Sequence, residues 1–176
     1  LALGTGQRLQ TIHLIQISNI KKYEGGLKIF IPDLIKTSAP NKQQPCLDLP
    51  YLTQDLSICP ATALEKYLKM TKDLRPSNTE NLFISFKKPY KLVSKQTISR
   101  WVKITLKSAG IDTEIFKPHS TRHASSSAAE RRGLSLECIT QTAGWSGRSS
   151  TFANFYKLPL VTPQSFLETV FLDRSK

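Results

Sequence analysis

The sequence is short of acidic residues, of cysteines and of long apolar runs, and each shortage narrows the class of protein. Its 13 Asp and Glu residues face 25 Lys and Arg, a formal net charge of +12 that favours a polyanionic partner such as nucleic acid. Cys46, Cys59 and Cys138 are odd in number and lack a C-x-x-C spacing, so we expect reduced thiols in an intracellular protein. No apolar run reaches the length of a membrane span, and no membrane partner is expected.

Two enzyme motifs are incomplete or missing. His119 and His123 stand at i and i+4, a spacing that can chelate zinc. No Glu occupies the H-E-x-x-H position, however, and no third ligand is suitably spaced, so zinc is the weaker alternative. The G-x-S-x-G turn of serine hydrolases does not occur. We therefore expect no metal site, and the tyrosine chemistry described below would need no other cofactor.

Length and hydrophobic content predict a single domain over residues 1–176, and the local patterns predict that it is mainly helical with a small three-stranded antiparallel sheet. The 39% hydrophobic content is enough for one core. Gly25-Gly26 between two alternating runs predicts a hairpin, and Pro45–Pro50 predicts a third antiparallel strand. Leu82–Phe86 is expected to be a brief strand or extended segment. Helices are predicted after Arg8, from Pro60, from Ser94 to about Ala109, from Pro118 to Arg132, after Ser135, over Ser149–Tyr156 and from Thr162.

One stretch, Pro118–Tyr156, concentrates the chemically suggestive residues in P-H-S-T-R-H, A-G-W and F-Y. His119 and Arg122 are three apart and share a face at the first turn of a predicted helix. The free N–H groups of a helix start, next to an Arg, form a place where a phosphate can sit. Tyr156 supplies a hydroxyl that could attack that phosphate, so the pattern predicts phosphoryl transfer with a tyrosine nucleophile.

The same motifs carry a family resemblance. H-S-T-R, A-G-W and F-Y resemble the C-terminal active-site boxes of the tyrosine recombinases, or phage-type integrases. F-K-P-H-S-T-R-H-A-S-S-S-A-A and T-F-A-N-F-Y-K-L-P resemble the enzymes of eukaryotic DIRS-type and Crypton-type mobile elements. The resemblance covers about Gly4 to Pro159. It implies a nuclear recombinase of which this is the catalytic half, without the family's N-terminal DNA-clamping domain and the first helix of the catalytic domain.

The resemblance also implies how the phosphate is held. Arg8 and Arg122 would neutralise charge on its non-bridging oxygens, which planar guanidinium groups match. His119 would bind the phosphate and move a proton to or from the tyrosine oxygen. Trp145 stands where many relatives have a second His, and its indole N–H can donate a hydrogen bond.

The resemblance implies that two further residues carry out the exchange of phosphate ester bonds. Tyr156 would attack, forming a 3′-phosphotyrosyl link without a metal, and Lys36, in the loop between the second and third strands, would protonate the leaving 5′ oxygen. Two positions depart from the family pattern. Thr11 stands where many relatives have an acid that orients the first arginine, and the interval from Trp145 to Tyr156 is two residues longer than in bacterial and phage members.

Double-stranded DNA is the expected partner. The segment Asn81–Gly110 contains seven basic residues and no acid, and on the predicted helix Arg100, Lys103 and Lys107 share a face. Such a face would track phosphates without reading sequence, although a merely solvated basic face is the alternative. The DNA-binding residues predicted on this basis are Lys87, Lys88, Lys91, Lys95, Arg100, Lys103 and Lys107.

Assembly and activity leave alternatives open. The last predicted helix, Thr162–Leu172, has an apolar stripe that would dock on a neighbouring protomer, as in relatives that act as tetramers, or pack on its own domain. Two rival functions share the fold or the chemistry. One is a domesticated DNA-binding protein that no longer cleaves; the other is a type IB topoisomerase, which relaxes supercoils without exchanging strands.

Overall fold

The computed structural model describes residues 1–35, 38, 40, 44–77 and 79–145. The elements within these ranges are mainly helical, with one sheet of three strands. The helices are α1 (Ala2–Thr5), α2 (Leu9–His13), α3 (Pro60–Thr71), α4 (Lys95–Ser108), α5 (Ser120–Arg131) and α6 (Leu136–Ala143). The strands are β1 (Ile20–Tyr23), β2 (Gly26–Phe30) and β3 (Cys46–Pro50).

The sheet is antiparallel with strand order β1-β2-β3, as the sequence predicts. Leu27 and Ile29 of β2 are buried whereas Lys28 between them is exposed, which is the alternation of a sheet with one face on the core. The hairpin requires glycine at position 26. A Cβ there would lie 2.2 Å from the carbonyl oxygen of Leu49 on the neighbouring strand.

Three of the predicted helix starts, at Ser94, Ser135 and Pro60, are confirmed, and the helix predicted from Pro118 begins at Ser120. The Ser94 hydroxyl accepts a hydrogen bond from the Thr97 N–H at 3.2 Å, and α4 follows it. Ser135 caps α6 in the same way through the Cys138 N–H at 3.2 Å. Pro60 opens α3, where its missing N–H removes no helical hydrogen bond.

Leu82–Phe86 forms no strand of a sheet. Its Ile84 makes only an isolated bridge with Leu92. The predicted helices over Ser149–Tyr156 and from Thr162 lie outside the described residues. Within the described ranges, no helix combines the length and the apolar character that crossing a membrane requires.

Two groups of buried side chains organise the packing. The larger joins the sheet to α2 and α3 through residues such as Ile12, Ile29 and Leu64. The smaller consists of Ile139 and Ala143 of α6 with Trp145 just after it. Helix α1 packs on α5, α2 on α4, and α5 on α6, so the turn between α1 and α2 comes up against α5 and α6.

Candidate active site

Arg122, at the third position of α5, is the centre of the candidate site. Its side chain is 1% exposed, yet it carries a charge that a guanidinium does not give up. Its Nη1 donates to the carbonyl oxygen of Gly6 at 2.5 Å and to that of Ala143. The guanidinium carbon lies 3.6 Å from the centre of the Trp145 ring, a desolvated cation–π contact of the kind that contributes about 2 kcal/mol.

Arg8 approaches the same ring from the turn between α1 and α2. Its guanidinium carbon lies 5.6 Å from the centre of the Trp145 ring, and its Nη1 donates to the Gly144 carbonyl at 3.4 Å. Thr11, at the position where many relatives are expected to have an acid that orients this arginine, is buried at 1% exposure. In this chain the Arg8 guanidinium is instead hydrogen-bonded to the turn that follows α6.

His119 immediately precedes α5 and stays exposed to solvent. Partial burial of the imidazole lowers its pKa, and the positive charges of Arg122 and Arg8 lower it further. A lowered pKa keeps the ring neutral near pH 7, so that it can accept a proton. Neutral imidazole beside two arginines suits a site where an anion binds and a hydroxyl loses its proton.

A cavity of about 470 Å³ opens beside Arg8 and His119. Helix α4 supplies one wall through Lys95, Gln96 and Ser99, and the segment before α5 supplies another. The complete lining is Arg8, Leu9, Gln10, Lys95, Gln96, Ser99, Lys117, Pro118 and His119. Basic groups thus surround an open space next to the arginines, as an anionic ligand requires.

The predicted basic row on α4 leads away from this cavity. Lys95, Ser99, Lys103 and Lys107 occupy successive i, i+4 positions, which follow one another along one side of a helix. Arg100 lies on the adjoining side and is exposed. Lys103 Nζ contacts a carboxylate oxygen of Glu114 at 3.0 Å, and Lys117 Nζ contacts the other at 3.5 Å. Both ion pairs are exposed and so weak, which leaves the lysines available to a phosphate.

The other three predicted DNA-binding lysines belong to a different side of α4. Lys87, Lys88 and Lys91 are exposed in the loop whose Phe86 ring packs 6.2 Å from that of Trp101. At about 100° per residue, Trp101 lies roughly opposite Ser99 on the helix. The structure therefore divides the predicted basic set into a row that starts at the cavity and a separate loop.

Lys36 and Tyr156 lie outside the described residues, so their proposed roles stay predictions. His123, the second member of the weaker zinc alternative, belongs to α5. Among the residues that the structure describes, no group of three or more His, Cys, Asp and Glu side chains is arranged to hold a metal ion.

Sequence reasoning missed two residues close to the arginines. Lys117 lines the cavity, and its place directly before Pro118-His119 could have indicated it. Gln7 is 2% exposed, and its Nε2 donates to the Thr142 carbonyl at 2.7 Å. No pattern in the sequence predicts that a polar residue before Arg8 is buried.

Comparison with protein families gives a match that covers most of the chain. A family model described as "Phage integrase family" matches residues 1–159. No curated protein matches this chain.

Similar folds occur among solved structures. The crystal structure of XerA recombinase has a TM-score of 0.66 and 20% sequence identity, over 99% of this chain and 55% of that one. XerH site-specific recombinase bound to difH substrate, in a pre-cleavage complex, has a TM-score of 0.62 and 16% identity, over 82% and 37%. The Tn1549 transposon integrase in complex with transposon right end DNA has a TM-score of 0.57 and 18% identity, over 86% and 51%. The chain thus matches about half or less of each of these longer proteins, and at such identities the likeness is one of fold.

Proposed function

The chain belongs to the phage integrase family, and on that premise we propose that it acts in site-specific DNA recombination, cleaving and rejoining strands through a covalent link to Tyr156. The observation that carries this proposal is the convergence of Arg8, His119, Arg122 and Trp145. They come from three separate segments and meet beside one basic cavity. Capped helices and basic surfaces are common, but this combination suits the stabilisation of a phosphodiester transition state.

The proposed reaction exchanges one phosphate ester for another. The Tyr156 oxygen attacks the phosphorus while the bond to the 5′ oxygen breaks, and the pair of electrons leaves with that oxygen. Neutral His119 takes the tyrosine proton, and Lys36 donates a proton to the departing 5′ oxygen. Arg8 and Arg122 balance the charge that develops on the non-bridging oxygens. Because the phosphotyrosyl link conserves the bond, a 5′ hydroxyl from another strand can reverse the step without nucleotide or metal.

Several finer assignments belong to the same proposal. The sequence motifs around His119 and Tyr156 support an origin in a eukaryotic mobile element of the DIRS or Crypton type. Such an origin would imply that the protein acts in the nucleus. The Tn1549 integrase was solved with transposon right end DNA and XerH with its difH substrate, which supports duplex DNA as the partner. We further propose a homo-tetramer on DNA, assembled through Thr162–Leu172.

One observation favours a second candidate, a domesticated binder that no longer cleaves. Arg122 Nη1 is engaged by the carbonyls of Gly6 and Ala143, and its face is covered by Trp145. An arginine with these partners supports the fold around it whether or not a phosphate arrives. DNA binding through the α4 row would not need it to reach the phosphate.

Covalent trapping separates the two candidates. The protein is incubated in EDTA with nicked duplexes that it has itself selected from a random-sequence pool. We expect a protein–DNA adduct that survives denaturation. Tyr156→Phe should remove the adduct entirely, whereas Tyr23→Phe, the same change on the exposed surface of β1, should leave it unchanged. Tight binding of the selected DNA without any adduct would support the non-cleaving binder instead.

A further inference from the structure

We propose that Gln7 is a positioning residue for the reaction above. Its side chain joins the turn that carries Arg8 to the turn that carries Trp145, and so sets the geometry of both arginines. This inference rests on the proposed strand cleavage for its consequence, but its structural part can be tested alone.

The side chain of Gln7 crosses between two turns that are distant in sequence. Its Nε2 donates to the Thr142 carbonyl at 2.7 Å, and the side chain is 2% exposed. The backbone N–H of Gln7 donates to the Thr5 hydroxyl at 3.3 Å, which fixes the Gln7 backbone to the end of α1. The amide thus connects the end of α1 with the end of α6.

The two turns are also in direct contact. A Cβ added to Gly6 would lie 3.2 Å from the Ala143 Cβ, and one added to Gly144 would lie 3.3 Å from both amide atoms of Gln7. The G-Q-R and A-G-W motifs therefore place small residues where the backbones meet. The side-chain amide of Gln7 lies against the backbone of Gly144, where a larger residue would meet it.

Both arginines depend on this contact. Arg122 Nη1 is held by one carbonyl from each turn, Gly6 on one side and Ala143 on the other. Arg8 directly follows Gln7, and its Nη1 donates to the carbonyl of Gly144. A change in the separation of the turns would therefore shift Arg122, Arg8 and the ring of Trp145 together.

Core stability alone does not explain a glutamine here. Its Oε1 is buried and has no hydrogen-bond partner within the described part of the chain, which opposes its burial. A methionine has nearly the same length and would remove that penalty while losing the bond to Thr142. These two effects on stability oppose each other. The chief effect expected from the substitution is therefore a change in how the Gly6–Arg8 turn is positioned relative to the turn at Gly144.

The first test compares Gln7→Met with Gln141→Met, the same change at an exposed position one residue before the acceptor. Single-turnover adduct formation on the selected nicked duplexes should fall on the order of tenfold to a hundredfold in Q7M, since small misplacements have effects of this size. The Kd for the same duplex and the melting temperature should stay close to those of Q141M. Gln7→Asn keeps the amide but is one methylene too short to reach Thr142, and should be slowed like Q7M.

The second test does not require activity. The chain has two tryptophans, so in a Trp101→Phe background the fluorescence reports on Trp145 alone. Trp145 is 5% exposed, and iodide should quench it poorly in the parent and in Q141M but more strongly in Q7M and Q7N. If the parent forms no adduct, strand cleavage fails as the function while quenching still decides whether Gln7 holds the two turns.

Two results would overturn the proposal. In the first, Q7M and Q7N match Q141M in quenching or, with a parent that forms the adduct, in adduct rate. In the second, both variants fail to fold or lose adduct formation only in proportion to a lowered melting temperature, which would make Gln7 a structural residue.

Discussion

At the scale of single residues, the charge state of His119 follows from its neighbours. Burial of the ring and the two nearby arginines lower its pKa below the ordinary value of about 6.5. The unfolded chain therefore binds a proton more readily than the folded chain does. Folding stability from this residue is fully present above about pH 6.5 and is lost as pH falls through the lower, folded pKa.

His119→Gln should remove this pH dependence. We expect the free energy of unfolding of the parent, measured relative to His119→Gln, to be smaller near pH 5 than near pH 7.5. Urea denaturation at the two pH values measures the difference. In an NMR titration, the imidazole signal that disappears in His119→Gln should have a midpoint below about pH 6.5. A midpoint above that value would contradict the proposed electrostatic environment.

At the scale of elements, α5 and α6 are each followed by a glycine in the left-handed conformation, but the two glycines have different surroundings. Gly133, just after α5, has φ +84°, and among the described residues no atom beyond its immediate chain surroundings lies within 4 Å of the position a Cβ would take. Gly144, just after α6, has φ +68°, and a Cβ added there would lie 3.3 Å from the side-chain amide of Gln7. Both glycines provide a left-handed backbone, but only the second also allows a close approach to the candidate site.

Alanine substitutions at Gly133 and Gly144 should separate the cost of the left-handed backbone from the cost of losing the close approach to Gln7. Gly133→Ala should lower the free energy of unfolding by about 1 kcal/mol, the conformational cost of a left-handed residue with a side chain. Gly144→Ala should lower it by about 2 kcal/mol or more, because the added Cβ also presses on the hydrogen-bonded Gln7. Urea denaturation gives both values, and equal losses would show that the close contact is unimportant. We expect adduct formation to be slowed by Gly144→Ala only.

At the scale of the whole molecule, the distribution of positive charge over the surface is expected to decide how DNA is aligned with the candidate site. The net charge of +12 predicts attraction to any polyanion. The row on α4 begins at the cavity next to Arg8 and His119, whereas the exposed Lys66 and Lys69 of α3 do not line that cavity. Binding that aligns DNA with the site should therefore depend on the α4 row.

Two triple substitutions with the same charge change test this distribution. Lys103 and Lys107 of the row, changed to Gln together with Arg100 on the adjoining side of α4, should weaken binding to a non-specific duplex and flatten the slope of log K against log salt by about two to three. Each neutralised phosphate contributes about 0.9 to this slope. Lys66, Lys69 and Lys72 changed to Gln should alter the slope much less. Fluorescence anisotropy across a salt series measures both, and equal slopes would indicate attraction without a defined face.

The sequence by itself determined most of the described elements. Alternating runs around Gly25-Gly26, hydroxyl caps at Ser94 and Ser135 and Pro60 at a helix start are local signals, because turns, caps and strand alternation involve residues a few positions apart. The family motifs likewise pointed to Arg8, His119, Arg122 and Trp145 as a group. The roles of Lys36 and Tyr156 rest on those motifs and stay predictions.

Only the tertiary structure decided how the group is held. The bond from Arg122 to the Gly6 carbonyl joins residues 116 positions apart, and the bond from Gln7 to Thr142 spans 135. Neither contact leaves a periodic trace in the sequence, because each depends on how α1, α5 and α6 pack against one another. The same packing buries Gln7, brings Lys117 to the cavity and sets the loop lysines apart from the α4 row. Local chemistry thus specifies which residues are present and in which elements, whereas the packing of distant elements specifies what each residue touches.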